Sequence, residues 1–208
     1  MEPDGAHFLT ASDKSWWMRG RITYDGIRPT GIVDAEMAPM LGPDGRTLAA
    51  RGWYDTEAMA QDGASLYVGI ERVNRIVRFD YGRDGLAARG EAIPVPPDFR
   101  TFAYNKGLEC LVMPGNGMPH AGMLIAVTER SLDASGNHRA YLLHGKDTVR
   151  YTVKRSDDFD VSDCAVMAPG DLLLLERRFS LARGVAIRIR RIPLAALKAG
   201  ALVDGASV

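Results

Sequence analysis

The 208-residue sequence has no excess of charge of either sign. It contains 26 basic and 26 acidic residues, and charged residues make up 25% of the chain. Without a net positive charge, it lacks the electrostatic signature of a general binder of nucleic acid or anionic membranes. It also has no apolar run near the roughly 20 residues that a membrane-spanning helix requires. We therefore expect a soluble protein that binds no nucleic acid and has no membrane span.

Cysteine and histidine are scarce. The two cysteines, Cys110 and Cys164, are too few and too far apart in sequence for a disulfide scaffold, and neither belongs to a Cys-x-x-Cys pair. We expect both to be small buried thiols, as free cysteines usually are. The four histidines form no His-x-His or His-Glu-x-x-His pattern, so the sequence gives no support for a zinc hydrolase.

Three common motifs of hydrolases and phosphate-binding proteins are missing. The sequence has no Gly-x-Ser-x-Gly elbow of a serine esterase, no Gly-Lys-Ser/Thr phosphate loop and no Arg-His-Gly motif of a histidine phosphatase. Residues 82–90, GRDGLAARG, contain glycines but lack the strand-to-helix context of a nucleotide loop, so we expect a turn there. Any hydrolytic chemistry must come from another arrangement of residues.

A repeated unit is the main positive feature of the sequence. The segments LYVGIER, MLIAVTER and DLLLLER are short apolar runs that each stop at Glu-Arg, and HFLTASDK near the start is a weaker copy. The charged pairs are Glu71-Arg72, Glu129-Arg130 and Glu176-Arg177, with Asp13-Lys14 in the weaker copy. Recurrence roughly every 50 residues indicates one supersecondary unit per repeat.

An acidic residue precedes each of the three stronger copies. Aligning the segments DTEAMA, GLECLV and VSDCAV places Glu57, Glu109 and Asp163 in one column. The next column holds Ala58, Cys110 and Cys164. Small side chains in that column predict a tight internal position, which agrees with the expectation of buried thiols.

The repeats contain signals for strands only. A segment with period-two alternation follows each apolar run, as in RIVRFD (75–80), RAYLLH (139–144) and VAIRIR (185–190). The 22 glycines and 11 prolines can supply the tight turns between antiparallel strands. Repeats of this kind are typical of a β-propeller, an all-β array of antiparallel four-stranded blades around an axis. Strands near the axis are covered on both faces, which explains the continuous apolar runs.

The array is expected to be incomplete at both ends. Counting back from Asp13, the matching acidic column falls at or before the first residue, and counting on from Glu176 the next one falls beyond the last. We therefore expect residues 1–208 to be a single partial propeller domain of about three and a half blades, a fragment of a larger ring or an open one. A short connecting helix is expected in PLAALKAG (193–200).

Three segments, WYDTEAMAQDGASLYVGIERVNRIVRFD, NKGLECLV and GDLLLLERRFSLARGVAIRIRRIPL, carry a resemblance that runs from about Phe8 to Ala201. They resemble the bacterial phytase-like propeller proteins, the family labelled for esterase-like activity of phytase. The resemblance implies ester or phosphoester hydrolysis and a parent protein that is periplasmic or secreted. The chain as given carries no signal peptide, so it is expected in the cytoplasm if expressed as given.

Glu57, Glu109 and Asp163 are the candidate catalytic and metal-binding residues. If the repeat alignment holds, they occupy one level of successive inner strands and form an arc of carboxylates near the channel. Oxygen ligands of this kind favour calcium or magnesium, so we expect a divalent cation such as calcium as cofactor. The alternative is structural, with each carboxylate accepting backbone hydrogen bonds or pairing with an arginine of a neighbouring blade.

The Glu-Arg pairs are the second set of candidates. Consecutive strand residues point to opposite faces, so we expect Glu71, Glu129 and Glu176 to make structural contacts between blades instead of pairing with the adjacent arginine. Alternatively, the arginines line a mouth that receives substrate phosphate. Together with Asn105, which could orient a ligand or form a turn, the candidate substrate-binding residues are Arg72, Arg130, Arg177 and Arg178.

Two functions remain open from the sequence. The first is a metal-assisted phosphoesterase or esterase that acts on a small-molecule ester or phosphoester of undefined identity. The second is a non-enzymatic periplasmic propeller that binds a ligand or protein partner at its channel mouth. An open array also exposes strand edges, which pair readily with other chains, so we expect homodimers through open blade edges.

Overall fold

Short β-strands separated by tight turns dominate the computed structural model, which describes residues 1–2, 4–182 and 184–208. Turn residues such as Gly63 (φ 53°) and Asn74 (φ 48°) adopt the left-handed backbone that these tight connections require. The strands form four antiparallel sheets, which are the four blades of a β-propeller. The all-β propeller fold predicted from the sequence is confirmed.

The first two blades are simple meanders, in which each strand pairs with the next one along the chain. The strands of blade 1 are β1 (His7–Ser12), β2 (Trp16–Asp25) and β3 (Arg28–Pro39). The strands of blade 2 are β4 (Thr56–Asp62), β5 (Ser65–Ile70), β6 (Arg75–Asp80) and β7 (Gly90–Ala92).

The last two blades are meanders that each gain one short outer strand from the C-terminal segment. The strands of blade 3 are β8 (Leu108–Val112), β9 (Leu124–Leu132), β10 (His138–His144) and β11 (Asp147–Val153). Those of blade 4 are β12 (Asp160–Met167), β13 (Asp171–Ser180) and β14 (Gly184–Pro193). The C-terminal strand β15 (Leu202–Val203) pairs with β11, and β16 (Ala206–Ser207) pairs with β14.

Helical structure in the described residues is limited to short turns. The α-helix is α1 (Tyr81–Asp84), and the 3-10 turns are Ala49–Arg51, Glu71–Val73, Gly85–Ala87, Pro97–Thr101 and Leu194–Ala196. The helix expected at 193–200 is therefore wrong in extent. Pro193 still belongs to β14, and Leu197 returns to an extended backbone so that its side chain is buried. None of the described helices is long and apolar enough to cross a membrane.

The first strand of each blade lies nearest the axis. β4, β8 and β12 contact one another in succession, and β1 contacts β4. These four strands, with a residue from β13, line one central cavity of about 480 Å³. Residues at the ends of the inner strands are thereby brought together from distant parts of the sequence.

Blade 1 has three strands, and its inner strand β1 corresponds to the second strand of the other blades. The carbonyl of Asp13, just after β1, accepts the N–H of Asp55 at the entrance to blade 2 (2.6 Å). At the next interface the carboxylate of Glu71, just after β5, accepts the N–H of Gly107 (2.6 Å). The match of Asp13 to Glu71 is the one that the repeat predicts. In the described part of the chain, no strand lies on the channel side of β1.

Three apolar layers hold the four blades together. Trp17 of blade 1 packs edge-on against Phe79 of blade 2, with ring centroids 5.0 Å apart. Strand β9 shows why the central apolar runs do not alternate: Ala126 packs toward blade 2, whereas Ile125 and Val127 pack toward blade 4. Since both faces are covered, every residue from 124 to 129 is buried.

Cys110 and Cys164 form a disulfide between blades 3 and 4. Their sulfur atoms are 2.06 Å apart and their Cα atoms 5.1 Å apart, so the expectation of two free thiols was wrong. The cysteines shared one column of the repeat alignment, but Cys110 faces blade 4 and Cys164 faces blade 3, so they meet across the interface. The bond joins the inner strands β8 and β12 immediately after Glu109 and Asp163.

Candidate metal centre

A one-residue bulge in each of blades 2, 3 and 4 sets the side chains that reach the channel. The pairing of the first two strands shifts register at Glu57 in blade 2, at Glu109 in blade 3 and at Ser162 in blade 4. A bulged residue leaves the regular ladder, which re-aims its side chain. Glu57, Glu109 and Ser162 all line the central cavity.

Asp163 does not share the position of Glu57 and Glu109, as the sequence alignment had placed it. Ser162 occupies that position, and Asp163 lies opposite Leu175 on the face of blade 4 that points away from blade 3. Its Oδ1 atom accepts the N–H of Cys164 (2.7 Å). Asp163 still lines the cavity wall, but its carboxylate is outside the carboxylate cluster.

The residue that ends each second strand forms the next level of the channel. Ile70, Thr128 and Glu176 lie opposite the residue just before the bulge in their blades. The residues that follow them are therefore equivalent, and these are Glu71, Glu129 and Arg177. In blade 4 an arginine thus occupies the level at which blades 2 and 3 carry glutamate.

Three carboxylates converge where blades 2 and 3 meet. Oxygen atoms of Glu71, Glu109 and Glu129 all lie within 4.8 Å of one another. Glu71 and Glu129 are buried, and Glu109 is half-buried. Because carboxylate oxygens are the ligands that calcium and magnesium prefer, this acidic cluster could hold a metal ion.

The carboxylates differ in how well their charges are matched by the surrounding protein. Glu71 accepts the N–H of Gly107 (2.6 Å), and Glu129 accepts a hydrogen bond from Lys106 Nζ (2.8 Å). Arg177 Nη2 lies 3.8 Å from the other oxygen of Glu129. Within the described residues, neither Glu57 nor Glu109 makes a side-chain hydrogen bond or an ion pair.

Burial and mutual repulsion raise the pKa values of three of these glutamates. The pKa of Glu109 rises from 4.5 to about 8, first because of burial and then because of the charges of Glu57, Glu129 and Glu71, while Arg177 opposes the shift. Burial is also the main cause of the raised pKa values of Glu57 and Glu71. The cluster therefore favours a bound proton or an added cation.

Most of the arginines proposed for substrate binding are engaged elsewhere. Arg72 hydrogen-bonds Tyr104 and stacks on it, and Arg130 donates to the buried carboxylate of Asp160 (2.7 Å). Arg178 donates to the carbonyl of Asp157 and lies over the ring of Phe159. Among the four, Arg177 lines the central cavity, and its side chain is 61% exposed. Asn105 lies in the turn before β8 with a left-handed backbone (φ 53°).

The three glutamates expected to link blades behave differently. Glu71 meets the backbone at the entrance to blade 3, and Glu129 faces Arg177 of blade 4. Glu176 does not make the expected contact between blades. It occupies the strand position of Ile70 and Thr128, opposite the residue just before the bulge, and not the channel position that follows. Its fully buried carboxylate accepts hydrogen bonds within its own blade from Arg190 (2.6 and 2.8 Å) and Arg188 (2.6 Å).

The sequence identified Glu109 but treated Glu71 and Glu129 as structural residues only. Strand register explains the difference, because the second-strand glutamate lies next to the bulged acid of the inner strand. The sequence could have predicted this contact, since an acidic residue near the start of one strand and an acidic residue at the end of the next strand meet in an antiparallel pair.

Comparisons with known proteins identify a family model that matches nearly the whole chain. The model of the phytase-like family, described as "Esterase-like activity of phytase", matches residues 1–207. No relative was found among curated proteins. Among solved structures, a candidate 6-phosphogluconolactonase from Bacteroides uniformis ATCC 8492 is 16% identical, with a TM-score of 0.46, over 91% of this chain and 51% of its own. YCF48 bound to D1 peptide is 12% identical, with a TM-score of 0.43, over 92% of this chain and 60% of its own. The chain thus spans about half the length of the solved structures that it matches.

Proposed function

The chain belongs to the phytase-like family described by esterase-like activity of phytase, and from this premise we propose that it is a metal-assisted hydrolase of small-molecule esters or phosphoesters. The observation that carries the proposal is the convergence of the Glu71, Glu109 and Glu129 carboxylates, with Glu109 on the wall of the central cavity. The three glutamates come from two adjacent blades, so the folded propeller is required to assemble them.

The donor set suits a hard divalent cation such as calcium. Glu71, Glu109 and Glu129 would hold it, since all three offer oxygen and their combined negative charge is only partly offset by Lys106. A bound cation would supply Lewis acidity, which polarises an ester and acidifies water. The unpartnered state of the Glu109 carboxylate supports this assignment, because a buried charge without a partner is otherwise costly.

Two further residues of the cavity have roles in the proposed reaction. Glu57 lines the cavity without an ion pair, and its raised pKa suits a group that takes up a proton from an attacking water. The exposed guanidinium of Arg177 lines the same cavity and would orient a negatively charged oxygen of the substrate. The metal ligands on blades 2 and 3 and the substrate-binding group on blade 4 thus meet at the same cavity.

The disulfide supports an extracytoplasmic location for the parent protein. Disulfides persist in oxidising compartments such as the bacterial periplasm and are rare in the reducing cytosol. Since Cys110 and Cys164 join two blades beside the carboxylates, we propose that the protein matures in the periplasm or outside the cell.

The second candidate function is ligand or protein binding without catalysis. The guanidinium of Arg72 lies 5.4 Å from the ring centroid of Tyr54 and 5.0 Å from that of Tyr104, and Tyr104 is 76% exposed. Exposed aromatic and arginine side chains are common in binding surfaces. This surface favours recognition and needs no carboxylate cluster.

Hydrolysis assays distinguish the two functions. We expect the wild-type protein to hydrolyse a chromogenic phosphate or acyl ester in calcium and to lose most of this activity in a chelator. Glu109→Gln should lose activity in both conditions, because it removes one cation-binding charge. Glu91→Gln is the matched control, since Glu91 is exposed on β7, the strand of blade 2 that lies furthest from its inner strand β4.

Hydrolysis that is unaffected by both the chelator and Glu109→Gln would remove the proposed site. If no ester is hydrolysed and a chain with Tyr104→Ala loses a binding partner that wild type retains, the non-enzymatic function is supported instead.

A further inference from the structure

Four side chains at one end of the channel form a row in which cations alternate with aromatic rings: Lys14, Tyr54, Arg72 and Tyr104. The Nζ atom of Lys14 lies 5.9 Å from the ring centroid of Tyr54, and the guanidinium carbon of Arg72 lies 5.4 Å from the same centroid. The guanidinium carbon of Arg72 is also 5.0 Å from the ring centroid of Tyr104. We call these four residues the basic strip.

The fold brings the basic strip together from three blades. Lys14 follows β1 of blade 1, and Arg72 follows β5 of blade 2. Tyr54 and Tyr104 stand in the segments that lead into the inner strands β4 and β8. Antiparallel pairing puts the start of an inner strand beside the end of the next strand, so all four residues lie at the same end of the channel.

The guanidinium of Arg72 is held in place but keeps most of its hydrogen-bonding capacity. Its Nη1 atom donates a hydrogen bond to the hydroxyl of Tyr104, and attraction to the two tyrosine rings restricts its movement. Its Nε and Nη2 atoms carry further N–H groups, which make no hydrogen bond to the described residues. Such a planar group can bind a carboxylate through two parallel hydrogen bonds, and its fixed position lowers the entropy cost of binding.

Neither cation of the basic strip is neutralised by a carboxylate. Within the described part of the chain, Lys14 and Arg72 form no ion pair, whereas Arg83 and Arg150 each pair with an aspartate. Both cations of the strip are exposed, and Tyr104 is 76% exposed. The strip therefore offers two available positive charges and one accessible aromatic ring.

Neighbouring acidic residues determine which kind of anion fits the strip. Asp13 adjoins Lys14 in the chain, and Glu71 of the acidic cluster adjoins Arg72. These carboxylates would repel a nucleic acid strand, which carries a charge on every nucleotide. An extended peptide can instead carry acidic side chains at residues i and i+2 on one face, about 7 Å apart, with a neutral residue between them. Both cations lie over the ring of Tyr54, so a pair of carboxylates with this spacing can reach them together.

We propose that the basic strip binds an extended acidic segment of a partner protein, with one carboxylate on Arg72 and a second on Lys14. The exposed ring of Tyr104 packs against a neighbouring side chain of the same segment. This proposal rests on the second candidate function and gives it a class of partner. It requires neither a bound metal nor hydrolysis.

Fluorescence anisotropy with a labelled peptide of alternating glutamate and serine tests the proposal. Wild type should bind this peptide with a dissociation constant of about 100 µM or less at low salt, and binding should weaken as salt screens the exposed charges. Arg72→Gln should weaken binding by about tenfold, because a charged pair of hydrogen bonds is lost. Lys14→Gln should weaken it by about two- to fivefold, since it removes a single exposed ion pair.

Arg78→Gln is the matched control for the loss of one exposed arginine. Arg78 also has no ion pair among the described residues, but it lies on β6 and donates to Ser65 Oγ (2.7 Å). This variant should bind the peptide as wild type does, and circular dichroism should show that all variants fold. Glu109→Gln should also bind the peptide with unchanged affinity, in calcium or in a chelator, which separates the strip from the metal centre.

The proposal is overturned if the folded wild-type protein does not bind the peptide at about 1 mM, or if Arg72→Gln and Arg78→Gln bind it equally well. Peptide binding that requires calcium or Glu109 would place the carboxylates at the metal centre and also overturns it. Tighter binding of an oligothymidine of similar length, lost in Arg72→Gln, would assign the strip to single-stranded nucleic acid instead. A chain that binds calcium but not the peptide would remove the strip and leave the proposed hydrolase standing.

Discussion

Blades 2 and 3 present glutamate at two successive levels of the channel, whereas blade 4 presents Ser162 and Arg177 at the same two levels. The backbone is alike in all three, since each inner strand has its bulge at the same register. The difference in side chains concentrates negative charge at the junction of blades 2 and 3 and places a cation beside it on blade 4. A repeated fold thereby produces a site with two chemically distinct sides.

The comparison also explains why the acid of blade 4, Glu176, is not a ligand. Glu176 lies one residue before the channel position of its strand, and its equivalents are Ile70 in blade 2 and Thr128 in blade 3. Its charge is balanced by Arg188 and Arg190, which belong to the same blade. An identical Glu-Arg dipeptide therefore has two uses in one chain.

The largest expected effect comes from removing this buried charge. Glu176→Gln should lower the free energy of unfolding by about 3–5 kcal/mol, because it leaves two buried or half-buried guanidinium groups poorly matched. Thermal and urea unfolding would measure the change. The exposed Glu91→Gln control should stay within about 0.5 kcal/mol of wild type. Equal stability of the two variants would contradict the role given to Glu176.

The second prediction concerns the bond that joins blade 3 to blade 4. Cys110→Ser should lower the free energy of unfolding by about 2–4 kcal/mol, since it removes a cross-link between residues 54 apart in sequence. A reductant should lower the melting temperature of wild type to that of the variant and leave the variant unchanged. If wild type is insensitive to the reductant, the two blades are not covalently linked.

A smaller effect is expected from neutralising Arg177, the cation of blade 4 that faces Glu129. Arg177→Gln should tighten calcium binding by about five- to tenfold, because it removes a positive charge near the carboxylates. Calorimetric titration would measure the affinity, with Arg178→Gln as a control that contacts Asp157 and Phe159 instead. Unchanged or weaker binding in Arg177→Gln would show that the two sides of the channel do not interact.

A further effect is a pH dependence of stability without calcium. The pKa of the Glu109 carboxyl is about 8 in the folded protein, whereas its ordinary value, which applies to the unfolded chain, is 4.5. The folded state therefore holds this proton more tightly. Its contribution is fully present below about pH 4.5 and is lost as the pH rises toward about 8. Urea unfolding of wild type in a chelator should therefore show stability falling over this range, and Glu109→Gln should reduce the slope. A rise in stability from this group would contradict the assignment.

The sequence predicted the strands well because apolar runs, period-two segments and turn residues are local signals. It placed Glu109 at the channel because the acidic residue that precedes each apolar run is also a local signal. It misplaced Asp163 and Glu176 because a bulge shifts register by one residue, and the letters do not show which residue is bulged. The disulfide was missed because two cysteines in one alignment column look equivalent, although their side chains face opposite sides of their blades.

Calcium titration of the wild-type protein and of Glu109→Gln by isothermal calorimetry tests the central claim most directly. We predict binding to wild type that is weakened about tenfold or more in Glu109→Gln, since the variant loses one charged oxygen ligand. Glu91→Gln should bind as wild type does. Absence of binding by the folded wild-type protein, or equal affinity in Glu109→Gln, would contradict a metal centre at the junction of blades 2 and 3.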